Sequence, residues 1–250
     1  LKPAEADPGS GMTDNWTAPI TGAYCERTGP EFWGEPLNSA SSLLVVIVSI
    51  TALVYVLRKR RVAPGILALM AMAVAIGIGS FLWHTFATRW AELADVLPIW
   101  GFVAVYGSAM IFGSVRAPVG PIVALAFGTV VFLTGVALSM SETHMLGDTV
   151  SGSTQYLPAL FVVIATGRLL WRERHPSIRL IGLSVALFCL SFVFRSLDMP
   201  LCDVVPLGTH FLWHVTNCLA FAALLTALVR YPGSTAIDHD TGLEAPSEGR

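Results

Sequence analysis

Charge is scarce in this chain. Only 13% of its 250 residues are Asp, Glu, Lys or Arg, against 54% hydrophobic residues, where a water-soluble domain carries about a quarter charged. That shortage excludes an ordinary soluble domain and a disordered chain, and a mean hydropathy of +0.66 turns much of the surface toward lipid. Basic residues are not in excess either. The 15 Lys and Arg face 17 Asp and Glu, for a net charge of -2, so there is no polycationic face for a phosphate backbone and no nucleic-acid partner is expected. Four cysteines are too few for a disulfide-dense mini-protein. The chain also lacks an internal repeat and a cofactor-cradling glycine motif. Gly77, Gly79, Gly101 and Gly107 instead read as positions that let helices pack closely.

What the chain does have is uncharged runs, at 36–57, 62–88, 96–115, 117–141, 149–167, 180–194 and 204–229. A helix rises about 1.5 Å per residue and the hydrocarbon layer is about 30 Å thick, so roughly 20 apolar residues cross it. Six runs are long enough. The sixth, 180–194, has 15 uncharged residues and is expected to reach the interfaces because Arg179 and Arg195 extend their heads outward. The fold expected is an all-α membrane protein, a seven-transmembrane helix bundle over 36–230. A polar outer segment precedes it at 1–35, and a disordered tail follows at 231–250.

Alternating loops divide the basic residues unevenly. One side takes Arg58, Lys59, Arg60, Arg61, Arg116, Arg168, Arg172, Arg174, Arg179, Arg230 and Arg250; the other takes only Lys2, Arg27, Arg89 and Arg195, with most of the acids. The positive-inside rule then puts the N-terminus outside and the C-terminus in the cytoplasm. The first 35 residues hold no apolar core of a secretory signal, so the first helix is expected to direct insertion. Leu1 is not an initiator methionine, and part of the N-terminus is expected to precede it.

Ionisable groups inside apolar runs are costly and therefore point to function. His84 lies near the outer end of the second run, and His210 and His214 open the seventh. Four residues apart on a helix, the latter two share a face and suit one metal ion. The second run rises to the outer side and the seventh descends from it, so the three histidines can meet. Asp95 opens the third run at the same depth, after an outer turn at 89–94, and Ser80 lies one turn from His84 on its face. Three imidazoles and an open position form the arrangement of a hydrolytic zinc centre. Asp95 is then a proton carrier and Ser80 a donor to an oxyanion. Each residue alone has a plainer use: His84 as an interfacial histidine, Asp95 as a helix cap, Ser80 as a packing residue. Arg195, Asp198 and Asp203 read as a solvated or mutually paired turn, and Glu142, His144 and Asp148 as solvent contacts. Trp33, Trp90, Trp100 and Trp171 suit interfacial belts. Cys25 and Cys202 both fall on the outer side and can form one disulfide; Cys189 and Cys218 read as buried thiols.

The residues Tyr24-Cys25-Glu26, FWGEPLNSASSL from Phe32 to Leu43, GSFLWH from Gly79 to His84, Asp95-Val96-Leu97-Pro98 and the His210, His214 pair together resemble the alkaline ceramidases and their bacterial relatives. The wider superfamily includes adiponectin-receptor and haemolysin III type proteins, and the segment around Glu35 and Asn38 favours the ceramidase branch. The resemblance implies a seven-helix intramembrane zinc amidase that cleaves ceramide, with His84, His210 and His214 as zinc ligands, Asp95 as proton carrier and Ser80 as oxyanion donor. It implies a disulfide between Cys25 and Cys202. Animal members also carry a calcium site before the first helix, to which Glu26, Glu35 and the carbonyl of Tyr24 correspond here. Ala23 and Thr28 stand where that site has an aspartate and an asparagine. With two carboxylates it would hold Ca2+ weakly, or Glu26 or Glu35 would instead organise the outer segment through hydrogen bonds.

The leading expectation is a hydrolase of a membrane lipid amide, its acyl chain between the helices and its head near the outer surface. A receptor-like seven-helix protein with a structural or weakly hydrolytic zinc is the alternative. A cavity beside the metal and an unsaturated Asp95 would favour the enzyme. A metal or haem transporter would need further ligands toward the cytoplasm, and the inner half has no obvious series.

Overall fold

The structure, a computed structural model, describes residues 16–58, 64–112, 120–141, 153–172 and 174–231. Glu142, His144, Asp148, the basic residues at 59–61 and 116, and the tail beyond Tyr231 lie outside the described residues. Seven α-helices are described: α1 Pro36–Leu57, α2 Pro64–Phe86, α3 Arg89–Phe112, α4 Gly120–Ser139, α5 Leu157–Arg172, α6 Ile178–Leu197 and α7 His210–Arg230. Short 3₁₀ turns occur at Ser153–Tyr156 and Met199–Leu201, and there is no strand among the described residues.

Six of these helices are long and apolar enough to cross a membrane. The shortfall is not where the uncharged runs put it. Helix α6 has 20 residues, because Arg195 stays inside the helix instead of ending it. Helix α5 has only 16, because the start of its run is wound as the 3₁₀ turn at Ser153–Tyr156. A second difference lies at the turn between α2 and α3. Residues 89–94, expected as a turn, are helical, and only Ala87 and Thr88 separate the two helices. Ala87 makes the reversal with φ of 44°.

Sequential helices pack as neighbours except α4 and α5; α5 packs on α3 and α7 returns to α1, so α1, α2, α3, α5, α6 and α7 close a ring with α4 outside on α3. The burial pattern of α1 runs opposite to that of a soluble helix. Asn38, Ser42, Val45 and Ser49 share one helical face and are buried, while Leu43, Leu44, Ile47, Ile50 and Val54 are exposed. Small and polar groups therefore face the bundle and large apolar ones face outward, as lipid demands. Helices α2 and α7 are the most enclosed, with 44% and 50% of their spans buried, and they carry the three histidines.

Trp100 departs from its expected interfacial place. It is fully buried in the core with Val96, Val162 and Trp213, and its Nε1–H donates to Ser139 Oγ at 3.0 Å. Trp33, Trp90 and Trp171 are exposed. Cys218 is buried as expected, whereas Cys189 is exposed on α6. Cys25 and Cys202 are joined in a disulfide, with Cα atoms 5.3 Å apart, which clamps the N-terminal segment onto the turn between α6 and α7.

Candidate metal centre and its cavity

His84 sits in the last turn of α2, and His210 and His214 occupy successive turns at the start of α7. Their candidate ligand nitrogens lie within 4.8 Å of one another, and the Nε2 atoms of His84 and His214 are 3.0 Å apart. Two nitrogens each about 2.0–2.1 Å from a tetrahedral zinc ion stand about 3.4 Å from one another, within this spread. All three side chains are buried, His210 and His84 almost completely.

Two of the rings are held from outside the triad. Nδ1 of His84 lies 2.6 Å from Oε2 of Glu35. An ionised carboxylate only accepts, so this nitrogen carries the proton and the Nε2 lone pair is left for an ion. The His210 ring stacks on Tyr24 with centroids 3.9 Å apart, and its backbone N–H donates to Oδ1 of Asp198 at 2.9 Å. Nδ1 of His210 is buried without a hydrogen-bond partner, which in a protein interior marks a group kept for something else. Three converging, buried imidazoles with an orphaned nitrogen among them fit a metal ion.

Ser80 lies one turn before His84 on α2, and Asp95 lies in the second turn of α3, past its capping positions. Pro98, inside α3, has no N–H to bond the carbonyl of Ala94 one turn earlier. The backbone at Ala94 and Asp95 presses against Gly79, where any Cβ would overlap that carbonyl. The residue before Ser80 is therefore small because α3 must come this close. Ser80, Asp95 and the three histidines all line one cavity, and Oδ1 of Asp95 is buried there without a partner. The cavity continues past Phe102 and Phe221 to Leu224. Ten residues separate Leu224 from His214, about 15 Å along the helix.

Other residues at this end of the bundle were not singled out by the sequence. Arg195, expected in a solvated or paired turn, is buried on the cavity wall. Its guanidinium lies 5.6 Å from the Tyr24 ring centroid, 5.0 Å from that of Tyr156 and 5.3 Å from that of Trp213. Asp198, from the same expected turn, is buried too, whereas Asp203 is exposed as expected. Arg27 is buried beside Glu35 and was visible in the sequence only as one outer positive charge.

The three groups corresponding to a calcium site are engaged elsewhere. Glu26 accepts the backbone N–H groups of Leu37 and Asn38, at 2.7 and 2.9 Å, and so caps α1. The carbonyl of Tyr24 accepts the backbone N–H of Arg27 at 3.3 Å. Glu35 is bonded by His84, Asn38 and Arg27. Burial alone would raise the Glu35 pKa; the adjacent His84 and the hydrogen bonds from His84, Asn38 and Arg27 outweigh it and hold this carboxyl below its ordinary value.

No individually curated protein matches the chain. Residues 21–239 match the family described as Ceramidase, a span that includes every residue of the centre, and the protein belongs to that family.

Proposed function

We propose that the protein is a zinc-dependent intramembrane hydrolase that cleaves ceramide or a related N-acyl lipid to an amine and a fatty acid. Family membership supports a ceramidase-type hydrolase. The observation that carries the reading is the shared cavity: three converging imidazoles, Ser80 and an unpaired Asp95 carboxylate at one end, apolar side chains at the other. That shape suits a scissile carbonyl at the outer end and a chain between the helices.

His84, His210 and His214 would hold the zinc. When bound, the ion supplies Lewis acidity, polarising the carbonyl and lowering the pKa of water to about 7. Asp95 takes the proton of the attacking water and returns it to the departing amine. Ser80 donates a hydrogen bond to the oxygen on which charge develops. The apolar walls exclude bulk water and hold the acyl chain in register with these groups. In the membrane, α5 completes a seven-span bundle with the N-terminal segment outside, as the basic residues of the inner loops favour. The receptor-like alternative with a structural metal expects packed surroundings, and the cavity beside an unsaturated Asp95 weighs against it.

Purified protein tests the reading with amide lipids and metal analysis. His214→Ala is expected to lose metal and fatty-acid release together. Asp95→Asn is expected to keep its metal and lose turnover by about 10²–10⁴-fold. Hydrolysis retained by the asparagine variant would refute the role given to Asp95.

A further inference from the structure

We infer that Arg27 is a built-in cation: its guanidinium fills the oxygen cage of the outer segment in place of a divalent metal, and through Glu35 it positions His84, so that the centre is independent of calcium. The inference rests on the reading of His84 as a metal ligand for its second half only.

An arginine has five N–H groups, and each one here has an acceptor. Nε donates to Oε1 of Glu35. Nη1 donates to the carbonyls of Gly29 and Glu31, at 3.1 and 3.2 Å, and Nη2 to those of His84 and Thr85, at 2.8 and 3.4 Å. The side chain is 0% exposed and that of Glu35 only 2%. One carboxylate and four carbonyl oxygens are the donor set that a hard divalent cation takes. Here a guanidinium satisfies all of them.

The cage lies where a cation is wanted. His84 and Thr85 are in the last turn of α2, whose final carbonyls have no partner within the helix and stand at the negative end of its dipole. Arg27 caps that end and binds the Glu35 carboxylate at the same time. The other oxygen of Glu35 receives Nδ1 of His84 at 2.6 Å and Nδ2 of Asn38 at 2.9 Å. The carboxylate that orients a metal-ligating histidine is thus itself fixed by an arginine outside the membrane-spanning helices. A carboxylate so placed typically changes metal affinity by about 10–100-fold when lost.

A calcium ion added to this cage would stand beside the guanidinium, with the carboxylate oxygens of Glu35 and Glu26 already engaged. Both oxygens of Glu35 are taken by side-chain donors, and those of Glu26 cap α1. Ala23 and Thr28 supply no further carboxylate. The residues present do not fit calcium, because the chain has placed its own positive charge there.

The test compares the full-length wild type with Arg27→Lys and Arg27→Met in detergent. Radioactive calcium binding and thermal unfolding are measured with and without millimolar CaCl2. Zinc affinity is measured by competition with a chromogenic chelator, well below each protein's unfolding midpoint so that loss of fold cannot mimic loss of metal. Expected are no calcium uptake and an unchanged midpoint in the wild type, with zinc binding about 10-fold weaker for Arg27→Lys and about 100-fold weaker for Arg27→Met. Lysine has three donors for five acceptors and keeps only part of the cage. If the methionine variant does not fold, the wild type and the lysine variant decide the matter. Stoichiometric calcium binding, or a calcium-raised midpoint, in the wild type overturns the built-in cation. Unchanged zinc affinity in Arg27→Lys overturns the link to His84. A wild type that takes up no zinc overturns the metal-centre reading itself, while the calcium measurement still judges the cage.

Discussion

Asp198 holds two stretches of backbone together with one buried carboxylate. Its Oδ2 accepts the N–H of Cys25 at 3.1 Å, and its Oδ1 accepts those of Thr209 at 2.7 Å and His210 at 2.9 Å. The outer segment and the first turn of α7 are both fixed by this side chain, and the disulfide fastens the same corner. Gly208 belongs to the arrangement: its φ is +66°, and a Cβ there would overlap the Asp198 carboxylate. Asp198→Ala would leave three N–H groups without acceptors and is expected to destabilise the protein by about 3 kcal/mol. Thermal or denaturant unfolding reads that loss, with lowered zinc content at ambient temperature as its functional counterpart; an unchanged midpoint would show that the corner is held by the disulfide alone. Spacing made the histidines readable in the sequence, since four residues apart on a helix means one face. Asp198, Arg195 and Arg27 were not readable in this way. Their partners lie 171 to 173 residues away for Tyr24 with Arg195 and Cys25 with Asp198, and 57 away for Arg27 with His84. No local pattern records contacts of that separation.

At the scale of elements, the approach of α3 to α2 sets the geometry of Ser80 and Asp95. Gly79 removes the side chain that would stand between the helices, and Pro98 leaves the Ala94 carbonyl without its usual bond. Gly79→Ala is expected to push α3 outward, and a displacement of about 1 Å at a reacting group lowers turnover by about 10²-fold. Fatty-acid release should therefore fall much further than zinc content, because α2 and α7 still bring the histidines together. Full activity in that variant would show that the helix spacing does not set the geometry. The uncharged runs located all seven helices, because lipid-facing helices need length and apolarity more than any exact pattern. Their ends were less legible. In the sequence a charge marks the end of a run, yet α3 begins at Arg89 and α6 carries Arg195 inside, because an ion pair with Glu92 and a cage of aromatic rings make those charges tolerable. The sixth run reads as the short one for the same reason, whereas the short helix is α5, part of whose run is wound as the 3₁₀ turn at Ser153–Tyr156.

Over the whole molecule, a ring of helices encloses a cavity that is polar at the end covered by the N-terminal segment and apolar along the interior. That segment is stitched down at several points, among them the disulfide at Cys25, the Tyr24 ring against His210, and the Arg27 cage over α2. The bundle thus supplies the histidines while the N-terminal segment supports two of their rings, His84 through Glu35 and His210 through Tyr24. The most direct test of the centre is zinc K-edge X-ray absorption on the purified protein. About one zinc per chain, bound by three imidazole nitrogens at roughly 2.0 Å with one lighter oxygen ligand and lost in His214→Ala, is the expected result. A protein that purifies without zinc, or a zinc held by other ligands and unaffected by that substitution, would contradict it.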